Sequence, residues 1–78
     1  MDSVELQVGG LSEGMVLDIV EEYGFDSYAA LDGWNVETWL GTVWVGLEFY
    51  DLDNDRVVLE DIIYALESEG ARVGSTIN

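Results

Sequence analysis

Residues 42–66 read TVWVGLEFYDLDNDRVVLEDIIYAL. Apolar side chains alternate with others in the first third, as in a strand with one buried face, at Val43, Val45, Leu47 and Phe49. A carboxylate-rich bend follows at residues 51–55, and in residues 58–66 apolar positions recur at helical spacing. We therefore predict a central strand, ending about residue 52, that leads through an acidic turn into an amphipathic helix.

Shorter elements flank this stretch. Residues 3–8 alternate as a strand, and the pair Gly9-Gly10 ends it. A helix is predicted next, with Ser12 as its N-cap and Gly24 as its stop. For the second helix the predicted cap is Asp55 and the predicted stop is Gly70. Residues 27–31 and 71–77 are predicted as the remaining strands.

Two positions are open for the turn before the central strand. Asp32-Gly33 is a dipeptide that favours tight hairpins. A turn at residues 35–37 would instead let the strands extend to Trp34 and Trp39. The central strand accordingly begins at either Trp39 or Thr42.

The predicted order is strand, helix, strand, strand, helix, strand. This order is typical of an α+β fold of the ferredoxin-like split βαβ type, with two helices on one face of a four-stranded antiparallel sheet. We see no linker or repeat, and we predict one compact domain over residues 1–78.

Charge is the strongest compositional signal. The chain contains seventeen Asp and Glu residues, two Arg residues and no Lys, which gives a net charge of −15. Repulsion of this size destabilises a small folded chain in dilute salt and is largely screened in molar salt. The composition resembles that of small acidic proteins of extremely halophilic archaea or of their viruses. This resemblance implies the cytoplasm of a high-salt organism or a virion as the location.

The same charge bears on partners. Direct nucleic-acid binding and membrane-surface binding both depend on Lys and Arg clusters, which this chain lacks. Mimicry of nucleic acid toward a basic protein, as an acidic inhibitor or regulator, stays open as an alternative. Met1-Asp2-Ser3 carries no Lys or Arg, so we predict no export by a signal peptide.

The predicted fold leaves one sheet face uncovered. Aromatic and arginine side chains supply much of the energy of protein interfaces. We therefore predict protein docking or self-association through this face or the strand edges, with candidate residues Trp44, Tyr50, Glu48, Arg72, Trp34 and Trp39.

The acidic bend suggests a second kind of site. Asp51, Asp53 and Asp55 resemble the first three ligands of an EF-hand calcium loop, whereas Arg56 and Ile62 stand where that loop has its glycine and its closing glutamate. The resemblance implies at most weak binding of Ca²⁺, Mg²⁺ or a monovalent cation, and we expect no other cofactor.

Catalysis has little support in the sequence. His, Cys and Lys are absent, so nothing activates a hydroxyl nucleophile in the usual way. We predict a non-enzymatic structural or interaction protein that docks into a homo-oligomer or a larger assembly, such as a virion. A small-ligand or cation-binding regulatory domain is a further alternative, which rests on fold analogy alone.

Overall fold

The computed structural model describes residues 2–26 and 30–78 of the chain. The elements found in these ranges are β1 (Asp2–Gly9), α1 (Glu13–Asp26), β2 (Leu31–Trp39), β3 (Thr42–Phe49), α2 (Leu52–Ser68) and β4 (Arg72–Ile77). The strands pair antiparallel in the order β2-β3-β1-β4. The predicted α+β architecture is confirmed and is consistent with the ferredoxin-like fold.

The core lies between the sheet and the helices. In β3, the predicted inward row from Val43 to Phe49 is buried, because each second side chain points to the same face. Leu47 is opposite Val4 of β1 on one side and Trp34 of β2 on the other, so the inward row continues across the sheet. The helices complete this core with Val16, Val20, Leu59, Ile62 and Leu66.

The turn between β2 and β3 differs from both predicted positions. It lies at Leu40-Gly41, where φ is 50° and 79°. Asp32-Gly33 lies inside β2, at a bulge next to Leu31, and residues 35–37 are also strand. A bulge takes up one extra residue without reversing the chain, so the Asp-Gly pair here bends the strand instead of ending it.

The predicted second strand is therefore displaced. Residues 27–29 of that prediction lie outside the described residues, and Ala30 is in a turn that immediately precedes β2. The central strand begins at Thr42, as one alternative had it, but ends at Phe49 and not at Leu52. Leu52 is buried as the first residue of α2.

The caps of the helices are partly as predicted. The Ser12 hydroxyl accepts the backbone N–H of Met15 at 3.3 Å, which confirms the N-cap of α1. The predicted stop at Gly24 is wrong, since α1 continues to Asp26. A glycine inside a helix costs about 1 kcal/mol relative to alanine, which by itself does not terminate the helix.

The N-terminus of α2 also differs from the prediction. Asp51, not Asp55, is the cap, and its side chain accepts the backbone N–H of Asn54 at 3.4 Å. Asp55 instead lies at a kink, with φ −109° and ψ 21°. Asp51 precedes the buried Leu52, so placing that leucine in the core fixes where the helix begins.

The C-terminus of α2 confirms Gly70 as the stop. Gly70 has φ 96°, and its N–H donates to the carbonyl of Glu67 at 3.0 Å, while Ala71 N–H donates to Leu66 at 3.2 Å. These two bonds form a Schellman motif. Among the described residues, no helix is long and apolar enough to cross a membrane.

Candidate interaction surface

The sheet face opposite the helices is the open face. Its side chains follow from the register, because they alternate with the buried row and pair with one another across the strands. The strand residues that this places on the open face include Glu5, Gln7, Asn35, Glu37, Trp39, Trp44, Glu48 and Arg72.

A concavity of about 490 Å³, the open-face groove, lies on this surface. The side chains that define it are those of Glu5, Asn35, Glu37, Trp39, Trp44 and Glu48. Gly46 also lines it, and a Cβ at that position would collide with the carboxamide of Asn35. The absence of a side chain at Gly46 therefore lets Asn35 lie across the middle of the sheet.

Two tryptophans of the groove differ in environment. Trp39, at the end of β2, has 64% of its surface exposed. Trp44, in the central strand β3, is half-buried, and its indole Nε1 is buried without a hydrogen-bond partner. It is the sole buried side-chain polar atom in this condition among the described residues. An unsatisfied buried donor typically costs about 1–3 kcal/mol, so this ring position is held by the surrounding packing.

The groove is negatively charged. Its lining contains three glutamates and no arginine. The carboxamide of Asn35 donates to Glu37 at 3.4 Å, and the hydroxyl of Ser3 donates to Glu48 at 2.8 Å. Neither of these contacts neutralises a carboxylate, so the groove attracts positive charge.

The structure brings only some of the predicted interface residues together. Trp44, Glu48 and Trp39 line the groove. Arg72 lies on the open face opposite Gly9, outside the groove lining. Trp34 lies on the other face, where it packs against the core.

Tyr50 follows the end of β3 and is exposed. Its hydroxyl donates to Asp32 at 2.8 Å. This hydrogen bond, and then the negative charge of Asp32 and a smaller effect of burial, raise the pKa of Tyr50 above its ordinary value. Tyr50 does not line the groove.

Sequence reasoning missed Asn35 and Glu37 as groove residues. Both lie on β2, and the position of the β2-β3 turn decides which face each β2 residue occupies. The signal that identifies them is the apolar pair Val36 and Val45, which are opposite each other in the register and place the residues on either side of Val36 outward.

The acidic bend forms a helix cap in the structure. Besides its backbone bond, Asp51 accepts the Asn54 carboxamide at 2.6 Å, while Asp53 is exposed in the first turn and Asp55 is at the kink. Within the described ranges, no three acidic side chains form a group that could hold a metal ion.

No family model matches this chain, and neither a curated protein nor a solved structure is significantly similar to it.

Proposed function

We propose that this protein is a non-enzymatic interaction module of a high-salt organism that docks a protein partner through its open face, as part of a larger assembly. The observation that carries this proposal is the pair Trp39 and Trp44, which line the groove of an uncovered sheet face. Tryptophan is among the residues most enriched at the energetic centre of protein interfaces. The chain has no His, Cys or Lys, the residues that most often act as general bases or nucleophiles, so its composition favours binding over catalysis.

The partner that fits is a protein segment with positive charge. The groove carries Glu5, Glu37 and Glu48, and charges on an interface generally face charges of opposite sign. Docking of two open faces against each other would bring both sets of glutamates together. Charge complementarity therefore favours a basic partner over a second copy of this chain.

Mimicry of a nucleic acid has less support. That function calls for carboxylates arranged in rows on one side of the molecule. Here the acidic residues are also spread over both helices, for example Glu13, Asp18, Glu60 and Glu67.

Selection of peptides from a random-sequence display library tests the proposal. The selection is run in about 1 M KCl, where the Debye length is about 3 Å and diffuse attraction to the net charge is suppressed. We expect the selected peptides to bind the Tyr64→Ala variant as they bind the unmodified protein, since Tyr64 is 72% exposed on α2. Binding to Trp39→Ala and Trp44→Ala should weaken at least about tenfold.

Two results would overturn the proposal. Selected peptides that bind both tryptophan variants undiminished would show that the open face is not the docking surface. Dimers of the protein alone that Trp39→Ala dissociates in sedimentation equilibrium would make a second copy the occupant. Since Trp39 is largely exposed, its alanine variant should remain folded even if Trp44→Ala does not.

A further inference from the structure

The groove places one carboxylate next to two tryptophans. Glu37 of β2 is directly opposite Trp44 of β3. Trp39 lies two residues further along β2, and therefore on the same face as Glu37. Cβ atoms of directly opposite residues in an antiparallel pair are about 4.5–5.5 Å apart, so a small group can contact the carboxylate and an indole ring together.

The Glu37 carboxylate retains capacity to accept hydrogen bonds. Within the described part of the chain, its one side-chain hydrogen bond comes from Asn35, at 3.4 Å. An ionised carboxylate has about four lone-pair sites, and most of them are therefore available to a ligand. Asn35 itself lies across Gly46, so its carboxamide and the Glu37 carboxylate are on the same side of the sheet.

The opposite side of the groove adds negative charge without a competing cation. Glu48 of β3 and Glu5 of β1 line that side, and Glu5 is opposite Gly46, which carries no side chain. Arg72 lies outside the lining. The groove thus combines aromatic faces, hydrogen-bond acceptors and an open volume with no positive group of its own.

We propose that the open-face groove binds the guanidinium group of an arginine side chain of the partner, with Trp39 and Trp44 against its faces and Glu37 accepting its N–H groups. This inference rests on the proposed docking function and names the chemistry of the partner. Guanidinium is planar, is always charged and stacks on aromatic rings, and its paired N–H groups match a carboxylate. An ammonium group is a compact, strongly hydrated charge. It has no planar face to stack on the indole rings and no paired N–H groups that match a carboxylate.

The size of the groove agrees with such a ligand. Ligand pockets in proteins generally measure about 300–1,000 Å³, and this groove of about 490 Å³ holds one long side chain with part of its backbone. A phosphate or a carboxylate would be repelled by the three glutamates of the lining. A neutral side chain would leave the three glutamates without an oppositely charged partner.

An NMR titration with N-acetyl-arginine N-methylamide tests the assignment. The ¹⁵N-labelled protein is titrated in about 1 M KCl. We expect the indole N–H signals of Trp39 and Trp44 to shift with the arginine amide and to respond much less to the lysine and norleucine amides.

A matched pair of variants separates local contact from the overall field. Glu37→Gln and Glu60→Gln each remove one negative charge, and Glu60 is exposed on α2. We expect Glu37→Gln to weaken binding of the arginine amide at least about tenfold, as loss of a charge-assisted hydrogen bond predicts. Glu60→Gln should alter it less than about twofold.

Equal responses to the arginine, lysine and norleucine amides, or equal losses in the two variants, would overturn the arginine assignment. The docking function is judged separately, by the peptides selected from the library. Peptides that need both tryptophans but contain no arginine would overturn this inference and leave the docking function standing. Peptides that need neither tryptophan would overturn the docking function itself.

Discussion

Leu40 is the residue whose conformation is least expected from its chemistry. It has a φ of 50° at the β2-β3 turn, a conformation that costs a non-glycine residue about 1–2 kcal/mol, and 82% of its surface is exposed. Asparagine adopts this conformation more easily. We predict that Leu40→Asn raises the free energy of unfolding by about 0.5–1 kcal/mol in urea titrations.

Leu40→Ala is the control for this effect. Alanine has the same difficulty with a positive φ, and an exposed leucine contributes little packing. The alanine variant should therefore be about as stable as the unmodified protein. An asparagine variant no more stable than the alanine variant would contradict strain at this turn.

Tyr50 is a second single residue with a testable effect, because its hydrogen bond to Asp32 makes the unfolding free energy depend on pH. Below about pH 10 the phenol is protonated in both the folded and the unfolded chain, and its bond to Asp32 contributes fully to stability. The folded pKa is raised, so this contribution is lost as the pH rises through that value. We predict that Tyr50→Phe reduces the fall in unfolding free energy as the pH is raised above about 10.

Tyr64→Phe is the matched control, because Tyr64 is an exposed tyrosine of α2. The chain has no lysine, so no lysine ammonium group titrates over the same interval. If Tyr50→Phe retained the full pH dependence while Tyr64→Phe lost it, the hydrogen bond to Asp32 would not be the cause.

At the scale of the elements, alanine substitutions of two glycines are predicted to change stability in opposite directions. Gly70 needs its φ of 96° for the Schellman motif, so Gly70→Ala should lower the free energy of unfolding by about 1 kcal/mol. Gly14 lies in α1 with open space where a Cβ would be, and Gly14→Ala should raise it by about 0.5–1 kcal/mol. Thermal or urea unfolding of both variants checks the pair. Effects of the same sign would contradict the assigned roles.

The elements show how far the sequence predicts the fold. Alternation from Val43 to Phe49 correctly predicts the central strand and its buried face, and Gly70 correctly predicts the end of α2. These signals are local. The first is the two-residue spacing of apolar side chains in a strand, and the second is a backbone conformation that glycine adopts easily. They were sufficient for the order of elements and therefore for the α+β architecture.

Other features depended on contacts distant in sequence. Asp32-Gly33 has the composition of a turn, yet pairing of β2 with β3 places it in a bulge. A leucine at a positive φ gave no local signal of the true turn. The position of the turn decides which face each β2 residue occupies, so Asn35 and Glu37 were missed from the groove. The alternation along β3 does not depend on that turn, and Trp44 and Glu48, two of the candidate residues, lie on the open face.

At the scale of the whole molecule, the charge of −15 is spread over both the helices and the open face. Repulsion between exposed carboxylates is screened by salt over a distance that falls from about 30 Å at 0.01 M to about 3 Å at 1 M. We predict that the melting temperature, followed by circular dichroism, rises steadily as KCl increases over this range. A melting temperature independent of salt would contradict adaptation of the charge to brine.

The central claim is that the open face docks a partner, and three tryptophans provide a direct test of it. Trp39 and Trp44 line the groove, while Trp34 packs against the core on the other face. Their indole N–H signals, assigned by single substitution, are followed in ¹H–¹⁵N spectra as a library-selected peptide is added. Docking on the open face predicts that the signals of Trp39 and Trp44 shift and that of Trp34 stays in place. A shift of Trp34 together with α1 and α2 amides, without change at Trp39 and Trp44, would contradict it.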